Sequence, residues 1–81
     1  MTKLPSVKGK GLVKFVESLG FNIIRIKGSH IRLKAKDERI TTIPVHANKD
    51  IPKGLLRKII REDLKISLDE FLDLYLKYIG K

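Results

Sequence analysis

The tetrapeptide Lys27-Gly28-Ser29-His30 constrains this chain more than any other stretch. It separates two short runs, 21–27 and 30–36, in which apolar and polar residues alternate. Glycine takes the positive φ that a type II′ turn needs at its first central position, so Gly-Ser between such runs specifies a two-residue hairpin. That turn sets the expected pairing: Lys27 opposite His30, Ile26 opposite Ile31, Arg25 opposite Arg32 and Ile24 opposite Leu33. Side chains alternate between faces along a strand. One face should therefore carry Ile24, Ile26, Ile31, Leu33 and Ala35 into a core, and the other Arg25, Lys27, His30, Arg32, Lys34 and Lys36. Like charges directly opposite each other destabilise a sheet, so Arg25 against Arg32 points to an anion bound there.

The hairpin lies inside a short α+β pattern. Before it, Leu12, Val13, Phe15, Val16 and Leu19 form one apolar stripe, which predicts a helix over 8–19 with Ser6 as a possible N-cap. After it, a turn near Lys36-Asp37-Glu38 leads into a third strand over 39–45. Two registers are open. A three-residue loop puts Thr41, Ile43 and Val45 on the core face, and a two-residue loop puts Ile40 and Thr42 there. The first is preferred because it buries the apolar residues nearest the strand's end. Pro44 lacks an N–H for the ladder, which suits an edge strand. Asp50 can cap a second helix with Pro52 in its first turn and Leu55, Leu56, Ile59, Ile60 and Leu64 as its stripe. Ser67-Leu68-Asp69-Glu70 reads as a capping box that opens a third helix, with Phe71, Leu72, Tyr75, Leu76 and Ile79 inward. The expected fold is a three-stranded antiparallel sheet with its helices on one face, in the order helix, strand, strand, strand, helix, helix.

With 81 residues the chain is expected to form a single domain, 1–81, with a modest core. It has no cysteine, which excludes a disulfide framework, a zinc-thiolate site and a cysteine nucleophile. No apolar run is long enough to span a membrane, and residues 1–5 do not read as a secretory signal, so the cytoplasm is the expected compartment. The net charge is +9, and residues 67–81 contribute −1 of it, which leaves +10 on residues 1–66. Such an excess favours a polyanionic partner, nucleic acid first and an acidic protein second.

His30 can be a solvated turn residue or a reactive group. Imidazole is the side chain whose ordinary titration lies near neutrality. It can take a proton from a ribose 2′-hydroxyl or give one to a leaving oxygen. Arg25, Lys27, Arg32 and Lys34 could hold the phosphate and stabilise the charge of a pentacoordinate transition state. That is the composition of a metal-independent ribonuclease site. His46 reads as a loop residue that fixes the strand-to-helix turn, or as an auxiliary group lying near His30, and Ser29 reads first as a turn residue, with an auxiliary role as the alternative. No His-x-x-x-His spacing, phosphate-binding glycine loop or dinucleotide fingerprint occurs, so neither a metal nor a cofactor is expected. Tyr75 and Tyr78 read as packing residues, and the strands lack the surface aromatics of a base-stacking platform.

Four stretches carry a family resemblance: Leu19-Gly20-Phe21, Arg25-Ile26-Lys27-Gly28-Ser29-His30, 43–50 (Ile-Pro-Val-His-Ala-Asn-Lys-Asp) and 53–60 (Lys-Gly-Leu-Leu-Arg-Lys-Ile-Ile). In order and spacing the chain resembles the HicA, or YcfA-like, toxins over about residues 4–62. The resemblance implies a double-stranded-RNA-binding-domain-like α-β-β-β-α fold, with 67–81 as an added C-terminal helix. It implies an mRNA interferase, an endoribonuclease of a toxin–antitoxin pair, with His30 catalytic and a HicB-like antitoxin as direct protein partner. A non-catalytic RNA-binding module using the same face is the alternative. The chain departs from the family where a glycine is usual in the second turn, here Lys36-Asp37-Glu38-Arg39, and after the second helix, here Glu62-Asp63-Leu64.

Overall fold

Gly28 reverses the chain with a φ of +59°, while Ser29 keeps a negative φ, as the Gly-Ser turn requires. The structure, a computed structural model, describes residues 3–80, so Met1, Thr2 and Lys81 at the ends of the expected 1–81 domain lie outside the described residues. Helix α1 (Gly9–Ser18) is followed by β1 (Asn22–Lys27), β2 (His30–Lys34) and β3 (Ile40–Pro44). Then come α2 (Lys53–Lys58), a π-helical turn (Ile59–Asp63) and α3 (Leu68–Ile79). The strands form one antiparallel sheet in the order β1-β2-β3. The fold is the α+β order expected, α-β-β-β-α with a C-terminal helix.

The hairpin register holds for Lys27–His30, Ile26–Ile31 and Arg25–Arg32, and then slips. Leu33 pairs with Ile23, not Ile24, because a bulge between Ile23 and Arg25 leaves Ile24 as the extra residue. The expected core face is therefore corrected at β1. Leu33 and Ala35 are buried and Ile31 is half-buried, but Ile24 and Ile26 are 52% and 64% exposed. The cause is cover. The sheet is wider than the helices above it, which settle over β3: Gly9 of α1 sits on Pro44 and Val45, and Asp63 of the π turn bonds Thr41.

The second turn takes the three-residue form. Ala35 N–H donates to the Arg39 carbonyl at 2.9 Å, and Thr41 and Ile43 are buried on the core face as expected, with Val45 half-buried. Glu38 supplies the positive φ of that turn, at +78°, where a glycine would be unstrained. Arg39 then fastens the turn to the body of the domain. Its Nε donates to both Asp37 carboxylate oxygens, at 3.0 and 2.8 Å, and Nη1 to the Leu64 carbonyl at 2.6 Å. Its guanidinium stacks 5.2 Å from the centroid of the buried Phe21 ring. The Arg39 hydrogen bonds hold the Asp37 carboxyl below its ordinary 3.8.

Three helical expectations change. Lys8, not Ser6, precedes α1, and Pro52, not Asp50, precedes α2. Asp50 instead pairs with Lys8 at 3.3 Å, where the two segments form an isolated antiparallel bridge. The stripe Leu56, Ile59, Ile60 and Leu64 is buried, but through a π turn in which Leu64 N–H reaches the Ile59 carbonyl at 2.8 Å. Thr41, with 1% of its surface exposed, needs a partner for its hydroxyl and donates it to Asp63 at 2.9 Å across this wide turn. In α3, Ser67 caps the Glu70 N–H as expected. Phe71, Leu72 and Tyr75 face inward as expected, joined by Leu74 and Tyr78, but Leu76 and Ile79 are 59% and 56% exposed. Phe15 explains the place of Tyr78, because it meets the rings of Phe71, Tyr75 and Tyr78 edge-on, each at 5.4 Å, as packing tyrosines should.

Two glycines of α1 give opposite predictions. A Cβ on Gly9 would run into the Pro44 carbonyl and lie 2.9 Å from Val45 Cα, whereas one on Gly11 would meet nothing within 4 Å. Gly9→Ala should destabilise the fold by about 1–3 kcal/mol through overpacking, and Gly11→Ala should stabilise it by roughly 0.5–1 kcal/mol, both read from urea midpoints. A second prediction concerns acid. A carboxyl with a lowered folded pKa stabilises above its unfolded value and loses that contribution as pH falls through the folded one. The midpoint deficit of Asp37→Asn at neutral pH should therefore close below the ordinary carboxylate range.

Candidate functional site

The central strand β2 presents its polar side chains on the face away from the helices, and both neighbours extend that face in register. One row across the sheet is Lys27, His30 and Pro44, the next Arg25, Arg32 and Thr42, the third Asn22, Lys34 and Ile40. Opposed residues in an antiparallel pair lie about 4.5–5.5 Å apart at Cα, so each row is a line of touching side chains. The first two rows border a shallow hollow lined by Arg25, Lys27, His30, Arg32 and Thr42. Each of the five is exposed.

The charge in this hollow is unbalanced. Arg25, Lys27 and Arg32 form no ion pair with another described residue, and the lining contains no carboxylate. The hollow thus offers three fixed positive charges, a hydroxyl and one imidazole to a ligand. An anion of phosphate size meets its requirements: cations to neutralise it, guanidinium forks to bond two oxygens, and a proton-transfer group beside it.

The other expected site residues lie differently. Lys34 is on the same face but one row further along, and its Nζ is tied to Glu38 at 2.7 Å, so its charge is partly answered. Ser29 is half-buried, and its carbonyl accepts the Val45 N–H at 2.6 Å, which clamps the hairpin turn to the end of β3. His46 is exposed in a separate hollow with Lys8, Lys10, Val45, Ala47 and Asn48, and its carbonyl accepts the Lys49 N–H at 3.1 Å. It is not brought into the hollow of His30. Strand β3 ends at Pro44, and the chain then bends around the start of α1, where Gly9 lies against Pro44 and Val45. Thr42 is the lining residue that the sequence reading missed. The signal was present: the three-residue loop that buries Thr41 and Ile43 necessarily turns Thr42 outward, opposite Arg32.

Among the described residues no group of three or more His, Cys, Asp or Glu side chains is placed to hold a metal ion, and no helix is long and apolar enough to cross a membrane.

Comparison with known proteins adds one finding. The family described as the HicA toxin of bacterial toxin–antitoxin systems matches residues 9–65, from the first residue of α1 to just beyond the π turn. The match contains the whole sheet and every residue of the cationic hollow, and leaves α3 outside it. No curated protein matches the chain. On this match, and with the α-β-β-β-α order found independently, the chain belongs to the HicA toxin family of bacterial toxin–antitoxin systems.

Proposed function

We propose that this protein is an endoribonuclease that cleaves mRNA at the hairpin face, with His30 as its general acid or base. The observation that carries the reading is the hollow itself: one imidazole beside three cations that no described carboxylate neutralises. Cleavage of RNA needs little more. The 2′-oxygen attacks the adjacent phosphorus as its proton leaves, and the bond from phosphorus to the 5′-oxygen breaks as that oxygen gains a proton. The products are a 2′,3′-cyclic phosphate and a 5′-hydroxyl. His30 makes one of the two proton transfers. Arg25, Lys27 and Arg32 hold the phosphate and stabilise the negative charge that grows on its oxygens. Thr42 stands at the edge of the same hollow as a hydrogen-bonding group, and Lys34 adds longer-range attraction. The residues present supply the electrophilic assistance, so no metal is required by this scheme. A toxin of this kind acts in the cytoplasm, where mRNA is, and its partner is a HicB-like antitoxin that binds it directly.

A non-catalytic RNA-binding module would use the same cations, and His30 separates the two readings. His30→Ala should lower the cleavage rate in chelator by about 10²–10⁴, roughly 3–5 kcal/mol of barrier. Melting temperature and affinity for RNA should hold, because the side chain is exposed and makes no hydrogen bond or ion pair with another described residue. An RNA with a single 2′-deoxy at the scissile nucleotide should bind and stay intact. Parent-rate cleavage by His30→Ala, in a purified assay, would reduce His30 to a turn residue. His46→Ala is the comparison, and it should leave turnover near the parent rate.

The cations generate a second prediction. Each phosphate contact on a single strand adds about 0.7 to the slope of log affinity against log salt. Arg32→Ala or Lys27→Ala should flatten the slope by about that amount. Lys34→Ala should flatten it less, since its charge is shared with Glu38. Equal slopes for all three variants and the parent would place the RNA elsewhere.

A further inference from the structure

A second cationic hollow lies on α2 and the π turn, lined by Gly54, Arg57, Lys58, Arg61 and Glu62. It is on the other side of the domain from His30. The buried residues of this segment, Leu56, Ile59 and Ile60, face the core beneath the sheet, and Gly54, Arg57, Lys58 and Arg61 are exposed away from it.

Two features of the hollow bear on what it could bind. Arg57 and Arg61 stand four residues apart on one helical face, a like-charge spacing that weakens a helix, with Lys58 beside them. None of the three forms an ion pair with another described residue, although Glu62 lies in the same hollow and four residues after Lys58. Gly54 is the other feature. A fold requires glycine in a helix only where a Cβ would clash or where φ is positive, and Gly11 shows that this chain also keeps glycine where neither holds. At Gly54 neither holds: a Cβ would meet nothing within 4 Å, and its φ is not in the left-handed region. What the missing side chain does leave is open backbone beside Arg57, one turn further along.

We propose that this hollow is a second RNA-backbone site, in which Arg57, Lys58 and Arg61 engage phosphate and Gly54 lets the strand approach the helix closely. The lining favours nucleic acid over protein. Protein interfaces are built around a desolvated apolar centre, and this hollow has no apolar side chain. Phosphate contacts need only charge and hydrogen bonds, and carry no sequence preference. Glu62 subtracts one charge and leaves the lining at net +2. The site deepens the proposed function, because an RNA that reaches both hollows must be long or folded enough to pass from one face of the domain to the other. It rests on that reading only for RNA being the natural ligand.

The test uses the full chain and a fluorescent 20-nucleotide oligouridine with 2′-O-methyl groups throughout, which binds without being cleaved because its 2′-oxygens cannot attack. Affinity is measured by anisotropy across a salt series. Arg57→Gln with Arg61→Gln should flatten the salt slope by about 1.4, two contacts at about 0.7 each. Gly54→Ala should weaken binding several-fold while the melting temperature stays the same or rises. Gly11→Ala is the control. It makes the same exchange in another helix at a position that also meets nothing within 4 Å and lines neither hollow, and it should change stability alone. Parent affinity and slope in both the arginine pair and Gly54→Ala would overturn the proposal. So would variants that keep RNA binding but lose the antitoxin, since that assigns the hollow to a protein. Because the readout is binding at α2, it stands apart from cleavage at His30: a failed His30→Ala test leaves it in place, and its own failure leaves the hairpin site in place.

Discussion

Strand β2 has to satisfy two environments at once, and the rest of the molecule is arranged around that demand. It is the central strand and is bonded on both sides. Leu33 has none of its surface exposed, while its neighbours Arg32 and Lys34 point the other way. A one-residue slip would exchange the faces and bury two cations. The Gly28 turn on one side and the three-residue turn on the other prevent that slip, since each fixes the pairing from its own end. The apolar half of the strand then calls for helices, and on the cationic half His30 and Arg32 stay exposed.

The helices are held to the sheet by a few specific contacts more than by uniform cover. Gly9 allows α1 to lie directly on the backbone at the end of β3. Thr41 reaches Asp63, and Arg39 reaches the carbonyl of Leu64, so β3 carries the π turn. Phe15 gathers three rings of α3. All of these lie toward β3 or on the helices themselves. The consequence is an asymmetric sheet in which β3 is covered and β1 is not, and Ile26 is in water although it stands in line with the buried Ile43.

The face of the hairpin away from the helices is open as well, with Arg25, Lys27, His30, Arg32 and Thr42 all exposed. The cations of β1 and β2 are distant from the acidic residues of the helices, and the carboxylates that do lie nearby are engaged, Asp37 by Arg39 and Glu38 by Lys34. A chain with nine acidic residues therefore still presents a hollow with no negative charge in its lining. Family membership and geometry meet at this point. The family implies an antitoxin partner, and the hollow presents three cations that no described carboxylate pairs.

Local rules determined much of this protein from the sequence. Glycine's access to positive φ set the hairpin, alternation set the cationic face with His30 on it, and the Ser67 hydroxyl set the start of α3. These are decisions made within a few residues, so they are legible in the chain. Only the tertiary structure decided the bulge at Ile24, the exposure of Ile26, the π turn and the pairing of Asp50 with Lys8. It also removed His46 from the site by bending the chain after Pro44, and took Lys34 partly out of it through Glu38. Each of those outcomes depends on which surface meets which across long separations in sequence. Alternation says which residues share a face; it does not say how far the cover over that face extends.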